Sequence, residues 1–376
     1  MQGQVLLLSQ RRVSNLVAYC LGYEFEDTVA AVTDAERIDT TDLPAVEFSR
    51  RAYKLARMAS GSPRLARRLA PYPRNKVVLE REFELFFPVF SHTYELYSLA
   101  TIPNWRERSR KAACFITEVW SDMLPEYLLE LLTGFDHIFL GCSHSVKEVA
   151  RITGRPCTYL PIAVDVPRFA PASLDQPRPI EVSYIGRRSQ VTHQALLEDA
   201  ELRQLFYYYD TVAASGVDLK NRTFRVDNPN EHRRLLSTLL KHSRYFIANR
   251  SFVNRAEFTA GRDEISPRFY EGAAAGTVML GEAPRTDEFK RQFDWPDAVI
   301  HLPFDSPDIG RILADLNADT ERLRTARRNN VREAALRHDW LHRIQVVFDT
   351  LGLPHTEKMQ ARAELLDHIA ARATAS

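Results

Sequence analysis

The sequence predicts an α/β protein built from two doubly wound domains, and three observations predict it. Apolar runs of strand length alternate with helical stretches along the chain, the pattern of parallel sheets covered by helices. At 376 residues the chain exceeds the usual size of one core. Residues 169–179 hold Pro171, Pro177 and Pro179 without periodic apolar residues, which marks an interdomain linker.

The first domain opens on Val-Leu-Leu-Leu-Ser at 5–9, a continuous apolar run such as a strand buried on both faces needs. Further strands are expected at 85–91, 113–117, 137–142 and 158–161, with helices at 14–31, 45–59, 124–133 and 145–153. The second series places strands at 181–185, 222–226, 245–248, 278–280 and 298–302. Its helices fall at 196–206, 230–241, 267–275, 309–317 and 320–338, and an Ala-, Leu- and Arg-rich helix follows at 356–373. The domains are thus 1–172 and 173–345, with a helical segment at 346–376 expected to pack back toward the first domain. Two such domains suggest a ligand cleft at the carboxyl ends of the strands.

Composition narrows the class. Hydrophobic residues at 45% and charged residues at 26% are those of a soluble globular protein. A net charge of +1 argues against nucleic acid as a partner. Apolar runs stay shorter than a membrane span, and 5–9 is too short for a signal-peptide core, so a cytoplasmic protein is expected. Cys20, Cys114, Cys142 and Cys157 are scattered, with no Cys-x-x-Cys pair and no His at metal spacing, and read as free thiols. Residues 49–79 carry nine Lys or Arg and no Asp or Glu, interleaved with Tyr53, Leu55, Met58, Leu65 and Leu69. That asymmetry fits peripheral contact with an anionic membrane at its inner face, and equally a solvated helical face.

The chemistry concentrates at Ser266-Pro267-Arg268-Phe269-Tyr270-Glu271-Gly272-Ala273-Ala274-Ala275-Gly276. Ser266 caps a helix, Pro267 suits its first turn and Gly276 ends it. Such a helix start attracts an anion, Arg268 adds a guanidinium able to fork onto phosphate, and Glu271 can accept from a ribose diol. Gly272 and the alanines after it let the helix lie close to another backbone. The plainer alternative is a surface αβ unit with an ordinary Arg–Glu pair.

This segment resembles the signature of the retaining glycosyltransferases of family 4, the group 1 type, and in particular their CgeB-like branch, in which Arg-x-x-Glu-x-x-Ala-x-Gly precedes a buried strand. Four other stretches are similar to that family and stand in its order. They are Phe139 to Lys147, Leu160 to Pro171, Val182-Ser183-Tyr184-Ile185-Gly186-Arg187, and Phe348 to Pro354 after His338-Asp339-Trp340. The resemblance covers about Ala113 to Leu353. It implies the GT-B architecture, two Rossmann-like domains facing across a cleft, and a nucleoside diphosphate sugar as donor, with no cofactor besides that co-substrate.

Carried over residue by residue, the resemblance gives the diphosphate to Gly186 and Arg187, with Arg188 as fallback, and to Arg268. The ribose falls to Glu271, and Gly272 joins the donor-binding set. The family's paired acidic motif maps onto Asp263 and Glu271, with Glu264 beside the shorter carboxylate, so either Asp263 or Glu264 is expected to meet the donor sugar. Glu118 replaces the family's strand-end His-Asp, and His92 ends an earlier strand; both are candidates to orient or deprotonate an acceptor hydroxyl. Base and sugar recognition are expected near Asn249 and Arg250. No Asp-x-Asp motif stands at a plausible strand end, so metal-independent transfer is expected. An inverting transferase, an epimerase and a non-catalytic nucleotide-sugar-binding or coat-assembly protein stay open beside the retaining reading. The acceptor is not legible.

Overall fold

The computed structural model describes residues 4–11, 16–40, 43–62, 65–66, 69, 76–120, 124–211, 225–255 and 259–375, without the side chains of 43–47 and 49. The chain divides into two compact units. One comprises Met1–Asn15, Gly22–Ile162 and Arg343–Gln360; the other comprises Leu16–Leu21, Ala163–His342 and Ala361–Ser376.

Among the described residues the first unit holds β1 (Val5–Ser9), β2 (Glu36–Asp39), β3 (Phe83–Phe86), β4 (Val89–His92), β5 (Ser109–Glu118), β6 (His137–Leu140) and β7 (Cys157–Tyr159). They form one parallel sheet in the order β2-β1-β3-β5-β6-β7, with β4 also on β5. The single strand expected at 85–91 is therefore two. Pro88 has no N–H for the ladder, and the chain breaks there while both pieces continue along β5. The charged strand β2, Glu-Arg-Ile-Asp, was not expected; it lies at the sheet edge, where polar side chains are tolerated. The Cys20–Thr33 helix covers this sheet with Phe25, whose ring meets Phe87 and Phe115 edge-on.

The second unit holds β8 (Ile180–Tyr184), β9 (Phe206–Tyr209), β10 (Ser243–Ile247), β11 (Val278–Gly281) and β12 (Ile300–His301), again all parallel, in the order β12-β11-β10-β8-β9. Phe-Tyr-Tyr-Tyr at 206–209, whose first residue was assigned to a helix end, is the strand beside β8. The strand expected at 222–226 falls outside the described residues up to 224. Its core is built by Val182, Tyr184, Ile247, Leu280 and Leu313. Taken in chain order the five strands run 2-1-3-4-5, and connections leave in opposite directions from β8 and β10. In an open parallel sheet the crevice beyond the carboxyl ends of such a pair is where ligands bind.

Within this unit Asp339 is fully buried and accepts from the N–H groups of Val166 and Leu341 at 2.9 and 2.8 Å. Arg362 forks onto both its oxygens at 2.8 and 2.7 Å and reaches Asp165 at 2.8 Å. None of the four cysteines, all of them among the described residues, forms a disulfide, and Cys20, Cys114 and Cys142 are buried. Among the described residues no helix is long and apolar enough to cross a membrane.

Candidate functional site

The crevice beyond β8 and β10 gathers most of the donor-side residues. After β8 the chain turns at Gly186 with φ +84°, a left-handed conformation that glycine adopts without strain. Ser189 then caps the helix Gln190–Arg203, accepting from the Thr192 N–H at 3.1 Å. Its hydroxyl also donates to Asp305 at 2.5 Å, and its N–H donates to the Tyr184 hydroxyl at 3.0 Å. The free N–H groups and positive dipole end of a 14-residue helix thus open beside Gly186.

Arginines surround this turn. Arg268, in the first turn of Pro267–Ala274, donates through Nε to the Ile185 carbonyl at 3.0 Å and lies across Gly186, so that a Cβ there would run into its Nη2. Ser266 caps that helix through the Arg268 N–H at 3.3 Å, and Pro267 stands in its first turn. Arg188 rests over the Tyr209 ring at 5.4 Å, and its Nε and Nη1 are buried without a hydrogen bond. Arg187 stacks over Phe252 at 4.4 Å. The concentrated positive charge is felt nearby: burial and then Arg188 hold the His193 imidazole below its ordinary pKa. Burial also raises Tyr184, against the pull of Arg268 and Arg188.

Glu271 is only 5% exposed, and its Oε1 accepts from Nη1 of Arg233 on the helix Pro229–Lys241. Arg233 in turn lies over Phe169 at 4.9 Å. Arg233 and Asp210, which accepts from the Gly186 N–H, were both missed in the sequence. Arg233 sits among polar helix residues with no motif around it, and Asp210 follows a tyrosine run that the sequence does not mark as a strand.

Gly272 faces the sheet. A Cβ there would stand 2.6 Å from Met279 Sδ and 2.9 Å from Phe246 Cδ1, so this glycine seats the helix on the sheet instead of taking the donor contact expected of it. Asn249 follows β10, is buried, and accepts from the Glu282 N–H at 2.8 Å. Asp263 pairs with Arg250 at 3.4 Å and accepts from the Arg285 N–H at 3.1 Å, while Glu264 is buried. Arg250, Asp263, Glu282, Arg285 and His301 line a pocket of about 700 Å³ beyond β10, β11 and β12. Among the described residues no group of three or more His, Cys, Asp or Glu is placed to hold a metal ion.

In the first unit His92 and Glu118 end the neighbouring strands β4 and β5 and are register partners. His92 caps the turn that follows, its Nδ1 accepting from the Tyr94 N–H at 3.4 Å, which leaves Nε2 to carry any proton of the neutral ring. Burial lowers its pKa, against the opposing charge of Glu118. Glu95 completes a capping box by reaching back to the Ser91 N–H at 2.7 Å. Burial pushes that carboxyl up to about 7. Glu118 accepts from the Trp120 indole at 2.8 Å.

Solved structures with a distant likeness include Anabaena HepE in complex with UDP-glucose, 11% identical over 93% of this chain and 99% of that one, with a TM-score of 0.47. The α,α-trehalose 6-phosphate synthase of Burkholderia multivorans is 10% identical over 100% and 98%, with a TM-score of 0.45. An O-GlcNAc transferase mutant of Thermobaculum terrenum is 11% identical over 98% and 69%, with a TM-score of 0.42. No curated protein matches the sequence. A family model does: residues 190–349, which include Asp263, Arg268 and Glu271, match the family described as glycosyl transferase-like.

Proposed function

We propose that the protein moves a glycosyl group from a nucleoside diphosphate sugar to an acceptor hydroxyl, with retention of configuration and without a metal ion. The observation that carries this reading is the convergence of Arg188, Arg268 and the start of the Gln190–Arg203 helix around Gly186. A departing diphosphate gains negative charge as the glycosidic bond breaks, and fixed donors aimed at it lower the barrier. Arg188 brings two buried donors without partners, Arg268 brings a guanidinium against the turn, and Arg187 stands next to them. Glu271, oriented by Arg233, takes the ribose hydroxyls. Asp263 lines the polar pocket beside Arg250 and, with Glu264, takes hydroxyls of the donor sugar.

The acceptor is assigned to the first unit. With Nδ1 engaged by the Tyr94 N–H, His92 presents an Nε2–H that can donate to an acceptor hydroxyl and orient it. The carboxylate of Glu118, register partner of His92 at the end of β5, favours a second reading, inversion with Glu118 as general base; the anomer of the product, read by NMR, separates the two.

Thermal-shift titration with UDP, GDP, dTDP, ADP and CMP tests the donor site. One diphosphate should raise the melting temperature through binding to the folded state, and Arg188→Ala and Arg268→Ala should each reduce the rise. No rise with any nucleotide would overturn the donor assignment. Turnover in excess EDTA tests the metal claim, because the arginines are taken to neutralise the diphosphate. Loss of activity restored by Mg²⁺ would refute it.

A further inference from the structure

We propose that the helix Leu43–Ser60 docks this protein on an anionic lipid surface. The helix is fixed to its own unit along one side. Tyr53 is fully buried, its ring 5.3 Å from Tyr97 and 6.4 Å from Tyr127, and Arg57 forks onto Glu130 at 2.8 and 2.6 Å. At 100° per residue the opposite side carries Phe48, Arg51, Leu55 and Met58.

A water-facing stripe should be polar, and this one is not. Phe48, Leu55 and Met58 are 66%, 68% and 73% exposed, and Leu65 and Leu69 farther on are 45% and 63% exposed. Isolated apolar residues on a surface are ordinary, but a row of large ones at helical spacing marks a contact face.

Charge selects the occupant. Nine cations and no carboxylate stand between Ser49 and Leu79. Arg51 and Lys54 are exposed beside the apolar stripe; Arg64, Arg67, Arg68 and Arg74 lie outside the described residues. Arg57 is taken up by Glu130, and the other cations have no carboxylate interspersed among them; a groove on a partner protein would accept the apolar side chains without calling for that charge. An anionic bilayer takes both at once, the apolar side chains entering the acyl boundary while Arg and Lys meet the lipid phosphates. The inference stands apart from the transferase reading, since it uses no residue of the donor site.

The test is co-sedimentation of the full chain with vesicles of phosphatidylcholine alone or with about a third phosphatidylglycerol, the anionic content supplying the surface potential. Binding is expected only to the anionic vesicles, and at about 1 M salt, where the screening length falls to about 3 Å, it should drop at least tenfold. Leu55→Glu with Met58→Glu should abolish binding while leaving the melting temperature and the nucleotide response unchanged, because both side chains are exposed. Arg51→Glu with Lys54→Glu should weaken it severalfold. Binding that ignores lipid charge, or that survives the Leu55 and Met58 changes, overturns the proposal. So does self-association of the free protein that the same changes abolish, which would make a second copy the occupant.

Discussion

The backbone N–H of Gly186 donates to Oδ2 of Asp210 at 2.6 Å. The chain's own carboxylate thus holds a place that a phosphate oxygen of the proposed donor would take. Asp210→Asn removes a negative charge from that seat, and the affinity for a nucleoside diphosphate should tighten on the order of tenfold. Isothermal titration reads it directly. Weaker binding in the variant would mean that Asp210 helps to hold the ligand.

Arg233 and Glu271 form an ion pair whose side chains are 4% and 7% exposed. Removing one partner leaves the other charge buried and alone, so Arg233→Met should cost about 3–5 kcal/mol of stability. Arg233→Met combined with Glu271→Leu should cost less than that single change, since no charge is stranded. Urea unfolding of wild type, both single variants and the double variant gives the comparison, and simple additivity would show that the pair is not energetically coupled.

Gly186→Ala places a side chain at φ +84° and against the Arg268 guanidinium. The left-handed backbone alone should cost about 1–3 kcal/mol. Displacement of Arg268 should also blunt the thermal response to nucleotide beyond what a stability loss explains. A variant that melts lower but binds nucleotide with wild-type affinity would remove Arg268 from the donor site.

Stability should fall as pH rises from about 5 to about 8, the span between the ordinary and the folded pKa of Glu26. Burial pushes its carboxyl up to about 8, against the pull of Arg11 and the hydrogen bond from Ser9. Burial wins because Arg11 is shared: it lies 3.3 Å from Glu26 and 2.9 Å from Asp27. The folded form therefore keeps a proton that the unfolded chain has already released, so raising the pH favours unfolding. Glu26→Gln removes this titration, and its melting temperature should decline less than wild type over that window. Parallel declines would assign the pH dependence elsewhere.

Much of the fold was legible because parallel sheets buried on both sides leave continuous apolar runs, as at Val5–Ser9 and Val278–Gly281. The errors have physical causes. Pro88 split a strand whose apolar pattern continues across it. Three successive tyrosines after Phe206 favour a strand, but without alternation or flanking turn residues the run is not marked as one, and only Phe206 was drawn into the preceding helix. The capped helix at Ser266 and the Gly186 turn were legible because glycine, proline and serine have positional meaning. Arg233 and Asp210 were not, since each acquires its partner only through tertiary folding, 38 and 24 residues away in sequence.

The tie from Arg362 to Asp339 and Asp165 also bears on how the molecule is made. Each compact unit takes a segment from beyond residue 342, one using 343–360 and the other 361–376. A ribosome adding about 5–20 residues per second would ordinarily let the leading half of a nascent chain settle before the rest appears. Here neither unit has all its parts until residues beyond 342 have been made, and the Asp339 carboxylate waits for the guanidinium that will neutralise it. Completion of either unit therefore waits on the segment beyond 342, and nascent chains arrested at about residue 340 should remain open to protease.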